Sequence, residues 1–327
     1  MQPRALVTGA GGFIGFHLTN YLKLLGWWVR GVDIKYPQYA AHTSDEFLIT
    51  DLRTNLGCIK ATEGINYIFG LAADMGGMGF ISSNHSQILK NNLLININML
   101  NSARINKVEH YFFSSSACVY PEFLQEETEI TPLKEEDAIP AQPQDGYGWE
   151  KLITEKMCQY YRKEHGLKTT VARFHNAYGP YGTWDGGREK APAALCRKIA
   201  EAKLFNSKKL EIWGDGEQTR SFCYVGDTVR GIVKLVESDY PEPLNIGSDR
   251  LVTINQLADI IMDIAEVKLE KVHIEGPQGV RGRNSDNTKV GKILDWKPEV
   301  SLEEGLAITY KWIEKEVEKK WFLTEHV

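Results

Sequence analysis

The sequence predicts an α/β protein: a doubly wound parallel sheet with a second, smaller α+β domain. Three observations predict it. Short apolar runs alternate with helix-period segments through the first 176 residues. The first run ends in a glycine-rich turn. After about residue 176 Gly, Pro, Trp and charges become frequent, as in Gly179-Pro180-Tyr181-Gly182 and Trp184-Asp185-Gly186-Gly187-Arg188-Glu189-Lys190. The length of 327 residues fits two domains at roughly 150 residues each.

The strand-like runs are 5–8, 29–32, 47–49, 65–71, 111–114 and 170–174. Several are continuously apolar, as strands buried on both faces are. Helical patterns lie between them, clearest over 87–106 and 150–165. Such alternation builds βαβ units and a parallel sheet.

Composition excludes several classes. Apolar residues are 43% and charged residues 25%, so the chain can build a core. Lys+Arg 38 against Asp+Glu 43 leaves −5, which argues against general nucleic-acid binding. The five cysteines, at 58, 118, 158, 196 and 223, are odd in number and lack CxxC spacing. Neither a disulfide framework nor a metal site is expected, and the compartment implied is reducing. No apolar stretch nears the ~20 residues that span a bilayer, so no membrane association is expected. The first residues show no basic-then-apolar leader, and a cytoplasmic location is expected.

The first strand runs into Thr8-Gly9-Ala10-Gly11-Gly12-Phe13-Ile14-Gly15. Gly9, Gly12 and Gly15 permit a tight turn, and the backbone through Phe13 and Ile14 opens the following helix. Its N–H groups suit a pyrophosphate, in a Rossmann-like arrangement. A strand–helix turn with no ligand is the other reading of the glycines alone. Asp33 ends the second run, 18 residues after Gly15, where a carboxylate accepts from adenosine ribose hydroxyls. It also repels a 2′-phosphate, which favours NAD over NADP; Lys35 nearby works in the opposite sense. Asp51 follows the third run and is expected either to contact adenine or to cap the next helix.

Tyr147-Gly148-Trp149-Glu150-Lys151 places Tyr and Lys four apart on one helix face. Of fourteen tyrosines only Tyr147 has this partner. A nearby ammonium stabilises a phenolate, which an isolated tyrosine does not form at neutral pH. Lys151 can also bind the cofactor ribose. The fifth strand ends in Ser114-Ser115-Ser116-Ala117-Cys118-Val119-Tyr120-Pro121, at the strand end where open α/β sheets bind ligands. Ser116 there can hydrogen-bond a reacting oxygen.

With these motifs the chain resembles the extended short-chain dehydrogenases/reductases, the nucleotide-sugar epimerases and dehydratases. Arg173-Phe174-His175-Asn176-Ala177-Tyr178-Gly179-Pro180, Asn245-Ile246-Gly247-Ser248 and Leu294-Asp295-Trp296-Lys297-Pro298 extend the resemblance along the chain. It is closer still to the GDP-mannose 3,5-epimerase family. Four segments carry this: 72–80 (Ala-Ala-Asp-Met-Gly-Gly-Met-Gly-Phe), 116–121, 186–192 (Gly-Gly-Arg-Glu-Lys-Ala-Pro) and 279–287 (Gly-Val-Arg-Gly-Arg-Asn-Ser-Asp-Asn). Gly146 stands before the tyrosine where the family is expected to have Ala.

The resemblance implies NAD as cofactor and a GDP-mannose-type nucleotide sugar as substrate. It implies that Cys118 and Lys190 are the epimerisation acid/base pair, beside Tyr147, Lys151 and Ser116. Substrate contacts are implied for Gly76, Ser116, Cys118, Asn176, Glu189 and Lys190. Ala191, Lys198, Gln218, Arg220 and Arg283 complete that set. The basic residues suit two phosphates. Trp184 and Trp213 are open between base stacking and core packing. The resemblance also returns part of 222–247 to the first domain. The expected division is 1–176 plus about 222–247, against about 177–221 plus 248–327. The two long helices are expected to form a homodimer interface.

The chemistry is consistent with these implications. Oxidation at C4 acidifies the hydrogens at C3 and C5, and inversion there needs a base and an acid on opposite faces. A 4-epimerase needs no such second pair and typically carries Thr at the Cys118 position. Another nucleotide-sugar epimerase or decarboxylase is the alternative within the superfamily. A non-catalytic NAD-sensing protein is the alternative outside it, disfavoured by the intact Tyr/Lys pair.

Overall fold

Strand β1 (Arg4–Thr8) and helix α1 (Phe13–Leu24) open the chain, followed by β2 (Trp28–Asp33), β3 (Glu46–Ile49), α2 (Asn55–Thr62) and β4 (Tyr67–Gly70). A short helix α3 (Met78–Ile81) precedes α4 (His85–Ile105), β5 (His110–Ser116), α5 (Gly146–His165) and β6 (Lys168–Phe174). This computed structural model describes residues 2–277 and 279–324; Met1 and 325–327, which fall within the expected domains, lie outside the described residues. The six expected strands are all present, with ends shifted by at most two residues. The second long helix begins four residues before its expected start. Asp145 caps it, with Oδ1 accepting from Gly148 N at 2.8 Å, and Gly166 ends it with φ +68°.

The second half comprises β7 (Ala177–Tyr178), α6 (Ala191–Leu204), β8 (Lys209–Trp213), β9 (Thr219–Ser221), β10 (Cys223–Tyr224), α7 (Val225–Ser238) and β11 (Leu244–Ile246). It ends with β12 (Leu251–Thr253), α8 (Ile254–Ile264), β13 (Glu270–Ile274), β14 (Gly282–Arg283), α9 (Thr288–Leu294) and α10 (Leu302–Thr324).

Seven strands form one sheet in the order β11-β6-β5-β4-β1-β2-β3, each neighbouring pair parallel. Order reverses beside β1, so the strand ends at β1 and β4 open a crevice for ligand. The edge strand β11 comes from late in the chain and pairs Leu244 with Ala172 of β6. Helix α7 feeds it. Val229, Ile232 and Val233 of this helix pack with Val7 and Leu18 in one buried cluster. Val290, Leu294 and Trp296 join the same cluster, although the expected division put them in the second unit. The cause is Trp296, which packs by α7 and donates Nε1–H to Asp227 O at 3.3 Å.

A separate cluster gathers α6, α8 and α10 through Leu195, Ile199, Leu257, Ile261, Leu306 and Ile313. Trp184 belongs to it and is buried, whereas Trp213 is 45% exposed, so Trp184 packs and Trp213 stays open. Among the described residues no helix is long and apolar enough to cross a membrane.

Candidate active site

The phosphate-loop candidates stand between β1 and α1. Gly9 has φ +69°, a left-handed conformation that glycine tolerates. A Cβ on Gly15 would sit 2.1 Å from Gly9 O, so the helix can approach the turn only with glycine there. Gly12 N-caps α1 without any side-chain cap, leaving the first-turn N–H groups to a ligand. Gly11 contributes in a way the glycine spacing missed. Its N–H donates to Asp33 Oδ2 at 3.0 Å, and a Cβ on it would meet Lys35 O at 2.3 Å. Asp33 Oδ1 accepts from Ile34 N at 2.7 Å. Burial pushes the Asp33 carboxyl above its usual range, opposed by these amides.

Asp51 does not cap the next helix. Thr54 does, with Oγ1 accepting from Gly57 N at 3.2 Å. Asp51 instead receives Arg53 Nη2 at 2.7 Å, and this contact lowers its pKa.

Tyr147 and Lys151 lie in the first turns of α5 and are both buried. The Lys151 ammonium is 5.3 Å from the Tyr147 ring centroid and 4.8 Å from that of Phe113. Burial raises the Tyr147 phenol well above its ordinary pKa, reinforced by Cys118 and Glu150, while a hydrogen bond with Ser116 opposes it. Ser116 ends β5 and also accepts from Cys118 N at 3.2 Å. Serine, tyrosine and cysteine therefore meet at one strand end.

Sequence reasoning missed the group beside Lys151. Glu150 is fully buried, with Oε1 3.3 Å from Lys151 Nζ. Asn92 and Asn96 of α4 donate to its two oxygens at 3.1 and 3.0 Å. Asn92 also accepts from Asp74 N at 2.6 Å and donates to Asp74 O at 3.1 Å. One asparagine thus ties α5 to the loop that leads from β4 to α3. Its position between Trp149 and Lys151 carries no local signature of burial.

Cys118 sits in the turn Ala117–Val119 and is partly open. Its Sγ accepts from Arg283 Nη1 at 3.4 Å, and Arg283 Nε donates to Gln125 Oε1 at 2.6 Å. Lys190 N-caps α6, and the residue as a whole is exposed. Burial lowers its pKa, Cys118 opposes this and Arg283 adds to it.

The loop carrying Lys190 docks on the loop 74–80. Gly77 N donates to Arg188 O at 3.0 Å, and the Arg188 guanidinium lies 3.7 Å over the Phe80 ring. Gly76 is buried there, and a Cβ would press on Phe80 at 3.0 Å. Glu189 braces its own loop, accepting from Gly187 N at 2.7 Å and Arg197 Nη2 at 3.1 Å. Ala191 starts α6.

Asn176 adopts φ +43° and donates Nδ2–H to Ser221 O at 3.0 Å. Gln218 donates to Trp213 O at 3.3 Å, while its buried Oε1 has no partner among the described residues. A buried polar atom of that kind fits a ligand-binding position. Lys198 Nζ donates to Glu211 O at 2.9 Å beside the Trp213 ring, and burial lowers its pKa. Arg220 donates to the carbonyls of Thr219 and Val280 at 2.7 and 2.6 Å. Burial and the neighbouring Arg283 push it down to about 9, so an anion is favoured here. Arg281 points outward to Asp215 at 3.0 Å.

The chain is 51% identical over 316 residues to GDP-mannose 3,5-epimerase of Arabidopsis thaliana, covering 96% of this chain and 83% of that protein. It is 51% identical over 319 residues to GDP-mannose 3,5-epimerase 1 of rice (Oryza sativa subsp. japonica), covering 97% and 83%. Its fold is similar to UDP-glucose 4-epimerase of Thermotoga maritima, with TM-score 0.87 and 28% identity over 96% of this chain and 99% of that one. Residues 5–247 match the NAD dependent epimerase/dehydratase family, and the chain belongs to that family.

Proposed function

We propose that this enzyme epimerises GDP-D-mannose at C3 and C5 to GDP-L-galactose, with GDP-L-gulose as the C5-only product. One observation carries the reading: Tyr147 with Ser116, and Cys118 with Arg283, meet at the end of β5. A 4-epimerase needs the first set alone.

The residues present fit NAD. The uncapped helix start at Gly12 suits a pyrophosphate, and Asp33 stands at the end of β2 to receive ribose hydroxyls. Bound NAD would supply the hydride acceptor for C4, the donor for its return, and a positive charge that favours the phenolate. The chain's residues handle the protons. Tyr147 takes the C4 hydroxyl proton, Ser116 hydrogen-bonds that oxygen, and Lys151, paired with Glu150 beside the Tyr147 ring, is left to bind the cofactor ribose. The 4-ketone acidifies C3 and C5. The Cys118 thiolate takes a carbon-bound proton, and the C–H electron pair moves into the enolate oxygen. The Lys190 ammonium returns a proton to the opposite face. Tyr147 finally gives its proton back to the C4 oxygen.

Arg220, Arg283 and Lys198 would meet the diphosphate, and Asn176, Gln218 and Gly76 the rest of the nucleotide sugar. Two functional units follow: residues 1–176 with about 222–247, joined by 288–296, and the remainder as substrate domain. We also assign a homodimer through α4 and α5 and a reducing, cytoplasmic setting that keeps Cys118 free.

The deciding experiment incubates purified enzyme with GDP-mannose in D2O. Deuterium should enter at C3 and C5. Binding without incorporation at either carbon would remove the proposal. Cys118→Ser should suppress exchange by 100-fold or more yet still show bound-NADH absorbance, and Tyr147→Phe should suppress both.

A further inference from the structure

Gln125 follows the short turn Glu122–Leu124 and is 1% exposed. Its Nε2 donates to Tyr120 O at 3.2 Å and Pro121 O at 3.0 Å. Two carbonyls facing that nitrogen settle which way the amide points. Oε1 is thereby left for Arg283 Nε, at 2.6 Å. The main chain of the same residue holds β14: Gln125 O accepts from Arg281 N at 2.9 Å and Gly282 N at 3.2 Å. A Cβ on Gly282 would lie 2.2 Å from Glu127 O, so β14 can come this close only through glycine. Arg283 is therefore fixed at its backbone and at one guanidinium edge. The other edge presents Nη1 to Cys118 Sγ at 3.4 Å. A planar guanidinium held at one edge has its second direction set for it.

We propose that Gln125 is a positioning residue for the proton-transfer step, holding Arg283 so that its guanidinium faces the Cys118 sulfur and supports negative charge there. Arg283 then serves the sulfur as well as substrate phosphate. The inference rests on the reading of Cys118 as the base, but one of its consequences is independent of substrate. Cys118 reactivity toward an alkylating agent depends on Gln125, which touches neither reagent nor sulfur.

The test uses the purified full chain as Gln125→Leu and Gln125→Glu, with iodoacetamide as probe at pH 7.5. Labelling is read at each cysteine by peptide mass spectrometry, and the four buried cysteines are internal references. Gln125→Leu lets the guanidinium turn, and Cys118 labelling should slow by about tenfold. Gln125→Glu keeps an acceptor on Arg283 Nε but adds negative charge at its far edge, and labelling should slow there too. Deuterium exchange at C3 and C5 should fall in step, while NADH formation at saturating GDP-mannose stays within twofold. If Gln125→Leu does not fold, Gln125→Glu decides. Labelling within twofold of the parent in a folded variant overturns the inference, whatever the exchange rate. Slowed labelling with undiminished exchange supports the positioning role and instead removes Cys118 as the base.

Discussion

The Lys151 ammonium lies 3.3 Å from the carboxylate of its immediate neighbour Glu150, and both side chains are almost wholly buried. Adjacent residues on a helix point about 100° apart and do not ordinarily pair. They meet here because Asn92 and Asn96 pull the carboxylate from the α4 side. Burial raises the Glu150 pKa, and Lys151 and the two amides oppose this.

Glu150→Gln should therefore be costly at little change in volume. It leaves a buried ammonium without its counter-charge, a loss of about 3–5 kcal/mol for such pairs. Urea unfolding should show the drop. The double variant Glu150→Gln/Lys151→Met, which removes both charges, should recover a good part of it. Equal stabilities for the single variant and the parent would show that Glu150 is not the carboxylate that neutralises Lys151.

Legibility in the sequence followed the range of each interaction. Strand runs, the glycine turn and the Tyr147–Lys151 spacing are local patterns, and each lies on its expected element. The Asp145 cap moved the start of α5 because a cap competes with periodicity over a single turn. The contact of Arg283 with Cys118 spans 165 positions and had no local signature. The same holds for Gln125, an ordinary loop glutamine until β14 is laid against it. Arg283 was expected as a phosphate ligand alone, because residue type speaks of ligand charge but not of a sulfur neighbour.

Two buried histidines make stability depend on pH. Burial lowers His175 to about 3 and His110 to about 4 from the ordinary 6.5. As pH falls below 6.5 the unfolded chain takes protons the folded one refuses, so this stability, present above 6.5, is progressively lost. From pH 7 to 5 each histidine contributes a loss of roughly 2 kcal/mol at 1.36 kcal/mol per unit. Buried carboxyls such as Glu135 and Glu150, raised by burial, offset part of the total. A difference experiment isolates one histidine. His110→Gln, whose amide can still meet Thr170 Oγ1, should shrink the loss between pH 7 and 5 by roughly 2 kcal/mol in urea melts. An unchanged pH slope would mean that His110 is not neutral in the fold.

Helices α4 and α5 leave apolar side chains in the open. Leu94 and Ile97 on α4, and Trp149 and Ile153 on α5, are 37–44% exposed. Pairs three or four apart share a helix face, so each helix presents an apolar edge. A second copy of these helices would bury them in a two-fold interface. Ile97→Lys/Ile153→Glu should convert the dimer to monomer by light scattering at micromolar concentration, with an unchanged circular dichroism spectrum. A parent that is monomeric at that concentration would dispose of the dimer.

The proposed role of Lys190 as proton donor sets an alkaline limit to the reaction. Lys190 is to donate a proton, so it must enter as ammonium, and activity is lost as pH rises through its folded pKa. Burial lowers that value below the ordinary 10.5, and Arg283 lowers it further. The alkaline limb of C3/C5 exchange should therefore fall below 10.5. Replacing Arg283 by Gln removes one positive neighbour and should move the limb upward, even as it weakens substrate binding. Measuring exchange at saturating GDP-mannose separates the two effects, because the limb position then reports the bound complex while affinity affects only the concentration required. Lys190→Met should abolish the limb with the activity while leaving C4 oxidation measurable. A limb that stays fixed in Arg283→Gln would assign the alkaline titration to a group other than Lys190.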